Sequence, residues 1–289
     1  MKRKGGKRID EPGRGAHIQS EASRAGYYSR MASLAAHAVA AVLLFSAPAP
    51  AGELVRVRYL EGTIHDDLLL RATDGSVLAE GVLSQAVDGM LVTTRLVLRF
   101  KDGSLHDETV VFSQGGRFRL VRDHLVQTGP AFPRSIDMTV DGESGRVRVA
   151  HGDGHGGQKQ VEASFDLPLD LANGMVPTML KNIGPDGPRR SLSLIVATPA
   201  PRLVRLAIAS ASPEPIPTGP AGESRAATHY VLKVEIGGVA GWLAPLVGRQ
   251  PPDSHVWIAA GDPPAYLRSD QPFFVGGPPW RIEVVERAR

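Results

Sequence analysis

Apolar and polar residues alternate along most of the chain after residue 54, and short turn signals interrupt the alternation. In Met90–Phe100, which reads MLVTTRLVLRF, the even-numbered positions are mainly apolar. Successive side chains of a strand point to opposite faces, so this pattern predicts strands with one buried face. Asp-Gly and Gly-Gly pairs supply the positive φ angles of tight hairpin turns. We therefore predict a mainly β fold with a single curved antiparallel sheet or half-open barrel.

The same reasoning assigns most of the chain to strands. The segment Leu54–Glu61 alternates, and hairpins are predicted around Asp74-Gly75, Asp102-Gly103 and Gly115-Gly116. Further strands are predicted at Asp137–Asp141, Arg146–Ala150, Val161–Leu167, Ser191–Ala197 and Leu203–Ser210. Residues 211–223 are rich in Pro, Gly and Ser and are interpreted as a polar connection.

One segment, Asp166–Ile183, departs from the β pattern and predicts one short helix packed across the sheet. Its apolar residues have helical spacing: Leu171, Met175, Met179, Leu180 and Ile183. Asp170 is the predicted N-cap, Pro177 limits a continuous helix, and Gly184-Pro185 ends it. Residues 184–190 are a candidate boundary between two halves of one β-rich domain that spans residues 52–289.

The N-terminus predicts export to the periplasm or secretion. Residues 1–51 combine a basic segment, a short apolar run at Ala38–Phe45 and the A-x-A-like sequence Ala49-Pro50-Ala51, a pattern typical of a signal peptide cleaved after Ala51. The apolar run is too short to span a bilayer, so we expect no stable membrane span after cleavage. Met31 is an alternative start, and an uncleaved anchor or N-terminal helix is the alternative structure.

Charge and cysteine content exclude several classes of function. Residues 1–51 hold eight of the 33 Lys and Arg residues and three of the 30 Asp and Glu residues, so the remaining chain carries slightly more acids than bases. We therefore expect no nucleic-acid partner. The chain has no cysteine, which excludes disulfides, thiolate metal sites and Cys nucleophiles. No cofactor-binding motif is present, and no cofactor is predicted.

Three groups of polar residues have the composition of catalytic or metal sites. His151, Asp153 and His155 have metal-like spacing in a Gly-rich loop, where ordinary solvated residues are the alternative. Asp123-His124 and His106-Asp107-Glu108 pair imidazole with carboxylate, but neighbouring residues of a strand face opposite ways, which favours polar strand ends and turns. Asp253-Ser254-His255 is a run of neighbours and not a triad assembled from distant segments.

All three tryptophans lie between Thr228 and Val285, where Gly-Gly and Pro-Pro pairs separate the strands. They either fill a core or, for Trp242 and Trp257, line an apolar groove between the sheet and the predicted helix. In the second interpretation the groove contains Trp242, Trp257, His255, Leu171, Met175 and Met179.

Several stretches, among them HLVQTGPAFP (124–133), DLPLDLANGM (166–175) and GGPPWRIEV (276–284), resemble a family of exported, uncharacterised bacterial proteins. More distantly, the late strand pattern is similar to periplasmic half-barrel proteins of the lipoprotein-carrier type. The resemblance implies a fold and no activity. We expect a non-enzymatic exported module that binds an apolar or amphipathic small molecule. The alternatives are a hydrolase with a His/Asp site assembled by the fold, and a structural or assembly protein of the envelope.

Overall fold

The computed structural model describes residues 54–153, 156–184, 190–217, 224–235 and 251–285, and these residues form one large antiparallel sheet with one helix. Residues 1–53, which hold the predicted signal peptide, lie outside this part of the chain. In chain order, the elements are β1 (Ile64–Arg71), β2 (Val77–Asp88), β3 (Leu91–Phe100), β4 (Leu105–Ser113), β5 (Arg119–Thr128), β6 (Ile136–Asp141), β7 (Arg146–Gly152), β8 (Gln158–Ser164), α1 (Val176–Ile183), β9 (Arg190–Val196), β10 (Arg202–Ser210), β11 (Glu214–Pro217), β12 (Ser224–Glu235), β13 (Ser254–Ala259), β14 (Ala265–Pro272) and β15 (Pro279–Val284).

The sheet is open, with β8 and β9 at its two edges. Its strand order is β8-β7-β6-β5-β4-β3-β2-β1-β15-β14-β13-β12-β10-β9, and β11 pairs with β12 beside β10. The first eight strands form a meander, and the pairing of β1 with β15 joins the first and last strands of the fold. The predicted mainly β class with an unclosed antiparallel sheet and one short helix is confirmed. The strands on either side of residues 184–190 belong to the same sheet.

The predicted hairpins are confirmed, and their turn glycines have the positive φ angles that tight turns need. Gly75 and Gly103 adopt φ angles of +85° and +86°, and the strands that flank each of them pair in register. The Gly115-Gly116 turn likewise joins β4 to β5. The predicted strand at Val161–Leu167 begins and ends three residues earlier, as β8.

The prediction of a strand at Leu54–Glu61 is wrong, although burial alternates there. Only Arg56 forms a bridge, with Arg117. The backbone N–H groups of Arg58 and Tyr59 donate instead to the side-chain oxygen of Asn182 in α1, at 2.7 and 2.8 Å. Val55 and Val57 still bond the backbone of Phe118 and Gly116, but beyond them the side chain of Asn182 replaces a neighbouring strand. The interpretation of residues 211–223 as a polar connection is wrong in part, because residues 214–217 form β11.

The helix is shorter than predicted and begins at Val176, so Asp170 does not cap it. Met175 is the N-cap and contributes no side-chain hydrogen bond. The segment before the helix pairs with β9 instead: the Ser193 N–H donates to the Asp170 carbonyl, and the Ala172 N–H donates to the Ser193 carbonyl. The Asp170 carboxylate accepts from the Ser193 hydroxyl at 2.8 Å. Pro177 lies in the first turn, where a missing N–H costs little.

Two apolar clusters lie on the face of the sheet that we call the inner face, defined by Val92, Leu98, Val110 and Asp123. The first cluster packs α1 against both halves of the sheet and includes Phe112, Phe118, Met138, Met179 and Val256. The second lies toward the other end of β1, β3 and β15 and includes Leu70, Leu98, Phe100, Phe132 and Trp280. Strand register places polar residues of β4 and β5 between the two clusters.

Candidate functional site

The described residues of the predicted groove do not share a surface. Leu171, Met175 and Met179 are buried in the first cluster, with exposed fractions of 3%, 0% and 0%. Trp257 lies on the opposite face of β13, packed with Ile216, Ala227 and Leu267. Trp242 lies outside the described residues. The geometric prediction of this groove is therefore wrong for the described residues, because the helix is packed too tightly against the sheet to leave one.

His255 and Trp257 belong to a stacked arrangement on the outer face. The indole of Trp257 lies between the imidazole of His229, with ring centroids 4.5 Å apart, and the guanidinium of Arg268, 4.2 Å from the ring centre. The Trp257 N–H donates to the carboxylate of Glu214. Both ring faces and the indole N–H are therefore occupied, so Trp257 offers no stacking platform for a ligand.

A cleft with a volume of about 410 Å³ lies beside this arrangement and is lined by His255, Asp253, Asp270, Arg71 and Arg281 among others. His255 is also bonded to His229, with Nδ1 and Nε2 2.8 Å apart. The charged groups of the cleft are already paired: Arg281 with Asp270 at 2.7 Å, Arg71 with Glu283 at 2.6 Å, and Asp253 with Lys233 at 3.2 Å. These pairs leave little unmet bonding capacity for a ligand.

The metal-like spacing at the β7–β8 loop is not matched by a metal-like geometry among the described residues. The ring of His151 is buried and its Nδ1 lies 3.0 Å from the Gly152 carbonyl oxygen. Asp153 accepts from the Gly157 N–H, while His155 lies outside the described residues. No group of three potential metal ligands occurs in the part of the chain that the structure describes.

Asp123 and His124 lie on opposite faces of β5, as the strand geometry requires. His124 faces outward, where its Nε2 lies 2.9 Å from a carboxylate oxygen of Asp137. Asp123 faces inward and is fully buried in the middle of the strand. The interpretation of this pair as polar residues at a strand end is therefore wrong for Asp123, whose burial needs another explanation.

The residues around Asp123 form a polar layer, which we define as His106 and Glu108 on β4 and Asp123 and Gln127 on β5. His106 pairs directly with Gln127, and Glu108 pairs with Leu125. Asp123 is thus the diagonal neighbour of Glu108, and such residues have Cα atoms roughly 7–8 Å apart, within reach of two acidic side chains. The layer separates the two apolar clusters on the inner face.

Asp123 is held by an asparagine of the segment that precedes α1. Asn173 Nδ2 donates to Asp123 Oδ2 at 3.2 Å, and the same amide bonds both the N–H and the carbonyl of Ile195 in β9 at 2.8 Å. The other carboxylate oxygen, Oδ1, is buried and has no hydrogen-bond partner among the described residues. Burial, with the nearby Glu108 carboxylate, raises the pKa of Asp123 well above its ordinary value.

Glu108 is half-buried and lies against the backbone of the same segment. A methyl group built on Gly174 would lie 3.3 Å from its carboxylate and 2.2 Å from Val110, so only glycine permits this approach. Burial raises the pKa of Glu108 to about 7. Neither Lys nor Arg forms an ion pair with Glu108 or Asp123 in the described part of the chain.

The imidazole of His106 is neutral and leaves one nitrogen without a partner. Gln127 Nε2 donates to the Phe273 carbonyl at 2.7 Å, which fixes the orientation of the amide, and lies 3.1 Å from His106 Nδ1. Nδ1 therefore accepts, and the ring proton is on Nε2, which is buried and has no partner among the described residues. Burial lowers the pKa of His106 to about 4.

Solvent reaches the inner face beside this layer. One row of cross-strand partners on β1 to β4 is only half-buried. It consists of Asp66, Leu83, Leu96 and Glu108. The parallel row through Leu68, Leu98 and His106 is buried. The boundary between the two clusters, which we call the gap, is thus partly open to solvent at Leu83, Leu96 and Glu108.

Sequence reasoning found His106, Glu108 and Asp123 as imidazole–carboxylate neighbours but did not place them in one layer, and it missed Asn173, Gly174 and Gln127. RLVRDHLVQT does not alternate strictly between polar and apolar residues, so no clear local signal marked the inward position of Asp123. Asn173-Gly174 lies in the predicted helix, where an Asn-Gly pair favours a turn.

Comparisons with known proteins identify no family. No family model matches the sequence, and no curated protein matches it. Among solved structures, the chain is similar to a β-barrel-like protein of the domain of unknown function DUF1849 from Brucella abortus. That similarity has a TM-score of 0.40 and 11% sequence identity, and it covers 78% of this chain and 94% of the other. Among the described residues, no helix is long and apolar enough to cross a membrane.

Proposed function

We propose that the protein is an exported, non-enzymatic module that binds a small amphipathic molecule at the polar layer of the inner face. The polar end of the ligand contacts Glu108 and Asp123, and its apolar part lies along Leu83 and Leu96. This proposal moves the predicted ligand from the sheet–helix groove to the gap between the two apolar clusters.

The observation that carries the proposal is the set of unmet hydrogen-bonding groups in the polar layer. Buried polar atoms in folded proteins are nearly always hydrogen-bonded, and each exception needs an explanation. Asp123 Oδ1 and His106 Nε2 are both such exceptions among the described residues, and they face the same side of adjacent strands. A bound molecule with a donor at its polar end removes the exception at Asp123 Oδ1, on the residue diagonal to Glu108 in this register.

The walls of the gap favour a ligand with an apolar part. Leu83 and Leu96 are half-buried and pack against the second cluster, while Val110 and Leu125 of the first cluster lie on the other side. Covering half-exposed leucine side chains gains roughly 25 cal/mol for each Å² of apolar surface removed from water. A purely polar ligand would forgo this gain.

Export supports a binding role outside the cytoplasm. The basic segment, apolar run and Ala49-Pro50-Ala51 sequence are the features of a cleavable signal. N-terminal sequencing of material secreted or released from the periplasm tests this part. A mature N-terminus near Gly52 supports export, and a retained Met1 or Met31 contradicts cleavage.

Native mass spectrometry of freshly purified protein tests the binding function. The expected result is a co-purifying small molecule, which is lost in a variant that fills the gap, Leu96→Trp. The matched control is Val97→Trp, which adds the same ring on the outer face of the same strand. Absence of any bound species, together with unchanged tryptophan fluorescence on addition of ten-carbon amphiphiles, contradicts the proposal.

A further inference from the structure

We propose that the ligand of the polar layer carries a primary ammonium group, which Glu108 and Asp123 bind together. This inference rests on the proposed function and adds the chemical class of the ligand. The polar end is a cation, and the apolar part is a chain that lies along Leu83 and Leu96.

The first argument is the missing counter-charge. A buried carboxylate is costly unless a cation or hydrogen-bond donors compensate it. Elsewhere on the inner face the chain meets this requirement, because the buried carboxylate of Glu61 forms an ion pair with Lys181 at 2.6 Å. Glu108 and Asp123 have no such partner among the described residues, although Glu108 is close enough to raise the pKa of Asp123. A cation from outside the chain completes the pair.

The second argument is the match between acceptors and donors. Asp123 Oδ1 has no hydrogen-bond partner among the described residues, whereas Asp123 Oδ2 accepts from Asn173. The carboxylate of Glu108 adds two further acceptors, which gives three oxygens for the ammonium group. A primary ammonium group has three N–H donors and no acceptor, so it can satisfy all three oxygens.

The third argument excludes the simplest competing cation. Calcium requires six to eight oxygen ligands, and zinc is usually held by at least three protein side chains. The described residues contain no group of three potential metal ligands, and the leucines beside Glu108 offer none. An organic cation uses both the carboxylates and the apolar walls.

In the protein without ligand, protonation of the two carboxyl groups neutralises the charge that the ammonium group would otherwise compensate. Burial raises the pKa of Glu108 to about 7 and raises the pKa of Asp123 well above its ordinary value, so the pair takes up protons near neutral pH. An ammonium group favours the ionised carboxylates and expels protons on binding. Amine affinity must therefore increase as the pH rises from 6 to 8, since the amine stays charged throughout. The other titratable groups nearby are His106, which is neutral in this range, Asp66, and the Glu61–Lys181 pair.

Isothermal titration calorimetry with n-decylamine, n-decanol and sodium decanoate, each below its aggregation concentration, tests the inference on the full mature chain. The expected order of affinity at pH 8 is amine, then alcohol, then carboxylate, with the amine at least tenfold tighter than the alcohol. Amine binding at pH 7 should release protons, seen as a binding enthalpy that changes with the ionisation enthalpy of the buffer.

The variant Glu108→Gln should weaken amine binding at least tenfold and should weaken decanol binding by a much smaller factor, because only the amine carries a charge. Glu80→Gln, on the exposed outer face of β2, is the matched control and should change neither. Circular dichroism and thermal unfolding establish that both variants are folded. Because the proton release is measured on the wild type, the inference stays testable even if Glu108→Gln fails to fold.

The outcomes separate the two proposals. Binding of decanol or decanoate at least as tightly as the amine overturns the ammonium inference and leaves the amphipathic binding function standing. Tight binding of calcium or zinc that blocks the amine overturns it as well, in favour of a metal site. If none of the three ten-carbon compounds binds, the proposed function itself is contradicted.

Discussion

Asn173 bonds the backbone of Ile195 at two points, accepting from its N–H and donating to its carbonyl, both at 2.8 Å. The side-chain amide thereby continues the edge of the sheet beyond β9, as a neighbouring strand would. Its Nδ2 also donates to Asp123 on β5. One residue thus connects the open edge of the sheet to the polar layer, and the position of the candidate site depends on it.

Replacing Asn173 by Ala should lower the free energy of unfolding by about 2–4 kcal/mol, because three buried hydrogen bonds are lost and their partners stay buried. Urea denaturation followed by circular dichroism measures the change. Asn173→Asp keeps the acceptor but loses the donor and adds a third carboxylate, so it should be at least as destabilising at pH 7. A loss below about 0.5 kcal/mol for both variants would contradict this role of Asn173.

The stability contributed by Glu108 should fall as pH rises. Its pKa is raised from 4.5 in the unfolded chain to about 7 in the folded protein. The folded state therefore binds more protons than the unfolded state between these values, and the free energy of unfolding contributed by Glu108 decreases across this window. Relative to wild type, Glu108→Gln should become more stable as the pH is raised from 4.5 to 7, whereas Glu80→Gln should follow the wild type. Denaturant titrations at both pH values check this.

The stability contributed by His106 should change with pH in the opposite direction and increase as the pH rises. Its pKa is lowered from 6.5 to about 4 by burial, so the unfolded state binds more protons between these values and stability increases with pH. The shift corresponds to about 3 kcal/mol, present above pH 6.5 and lost as the pH falls through 4. The ring nitrogens of His106 in ¹⁵N NMR spectra should show a neutral imidazole at pH 5.5, with the proton on Nε2. The exposed His65 supplies a reference signal in the same spectra. A charged His106 ring at pH 5.5 would contradict the assignment.

A sequence-based prediction of the fold succeeds where the interacting residues are close in sequence and fails where they are distant. Strands such as Met90–Phe100 and turns such as Asp74-Gly75 depend on neighbours within a few residues, so alternation and turn chemistry located them correctly. Leu54–Glu61 alternates as a strand does, but its partner is the side chain of Asn182, more than 120 residues away in sequence. No local pattern encodes that contact.

The candidate site was less predictable than the fold for the same reason. The inward orientation of Asp123 and its diagonal position next to Glu108 both depend on the register of β4 with β5, which contains a bulge between Val111 and Phe112. The helix prediction failed at Asp170 because β9 competes for the same backbone groups. Propensity gives way to tertiary hydrogen bonding at such positions.

Gly174 should tolerate no side chain, and Gly89 supplies the matched control. Their φ angles are nearly the same, +58° and +57°, but a methyl group at Gly174 would lie 2.2 Å from Val110, whereas at Gly89 it would meet nothing within 4 Å. Gly89→Ala should cost about 1–2 kcal/mol from the backbone alone. Gly174→Ala should cost a further 1–3 kcal/mol, because the segment must move away from Val110 and Glu108. If both variants lost the same free energy of unfolding, the segment around Gly174 would be able to move away at no cost, and this prediction would be wrong.

Removing only one partner of the buried ion pair between Lys181 of α1 and Glu61 should strongly destabilise the protein. The Lys181 side chain is 13% exposed and that of Glu61 is 4% exposed, and Glu61 also accepts from Gln85. Lys181→Met leaves the Glu61 charge buried without its cation and should reduce the free energy of unfolding by about 3–5 kcal/mol at pH 7.

The double variant Glu61→Gln with Lys181→Met should recover most of that loss, since no uncompensated charge remains. A double-mutant cycle by urea denaturation at pH 7 measures this recovery. If the two substitutions were additive, the pair would contribute nothing to the attachment of α1, and the packing of Met179 and Leu180 alone would hold the helix on the sheet.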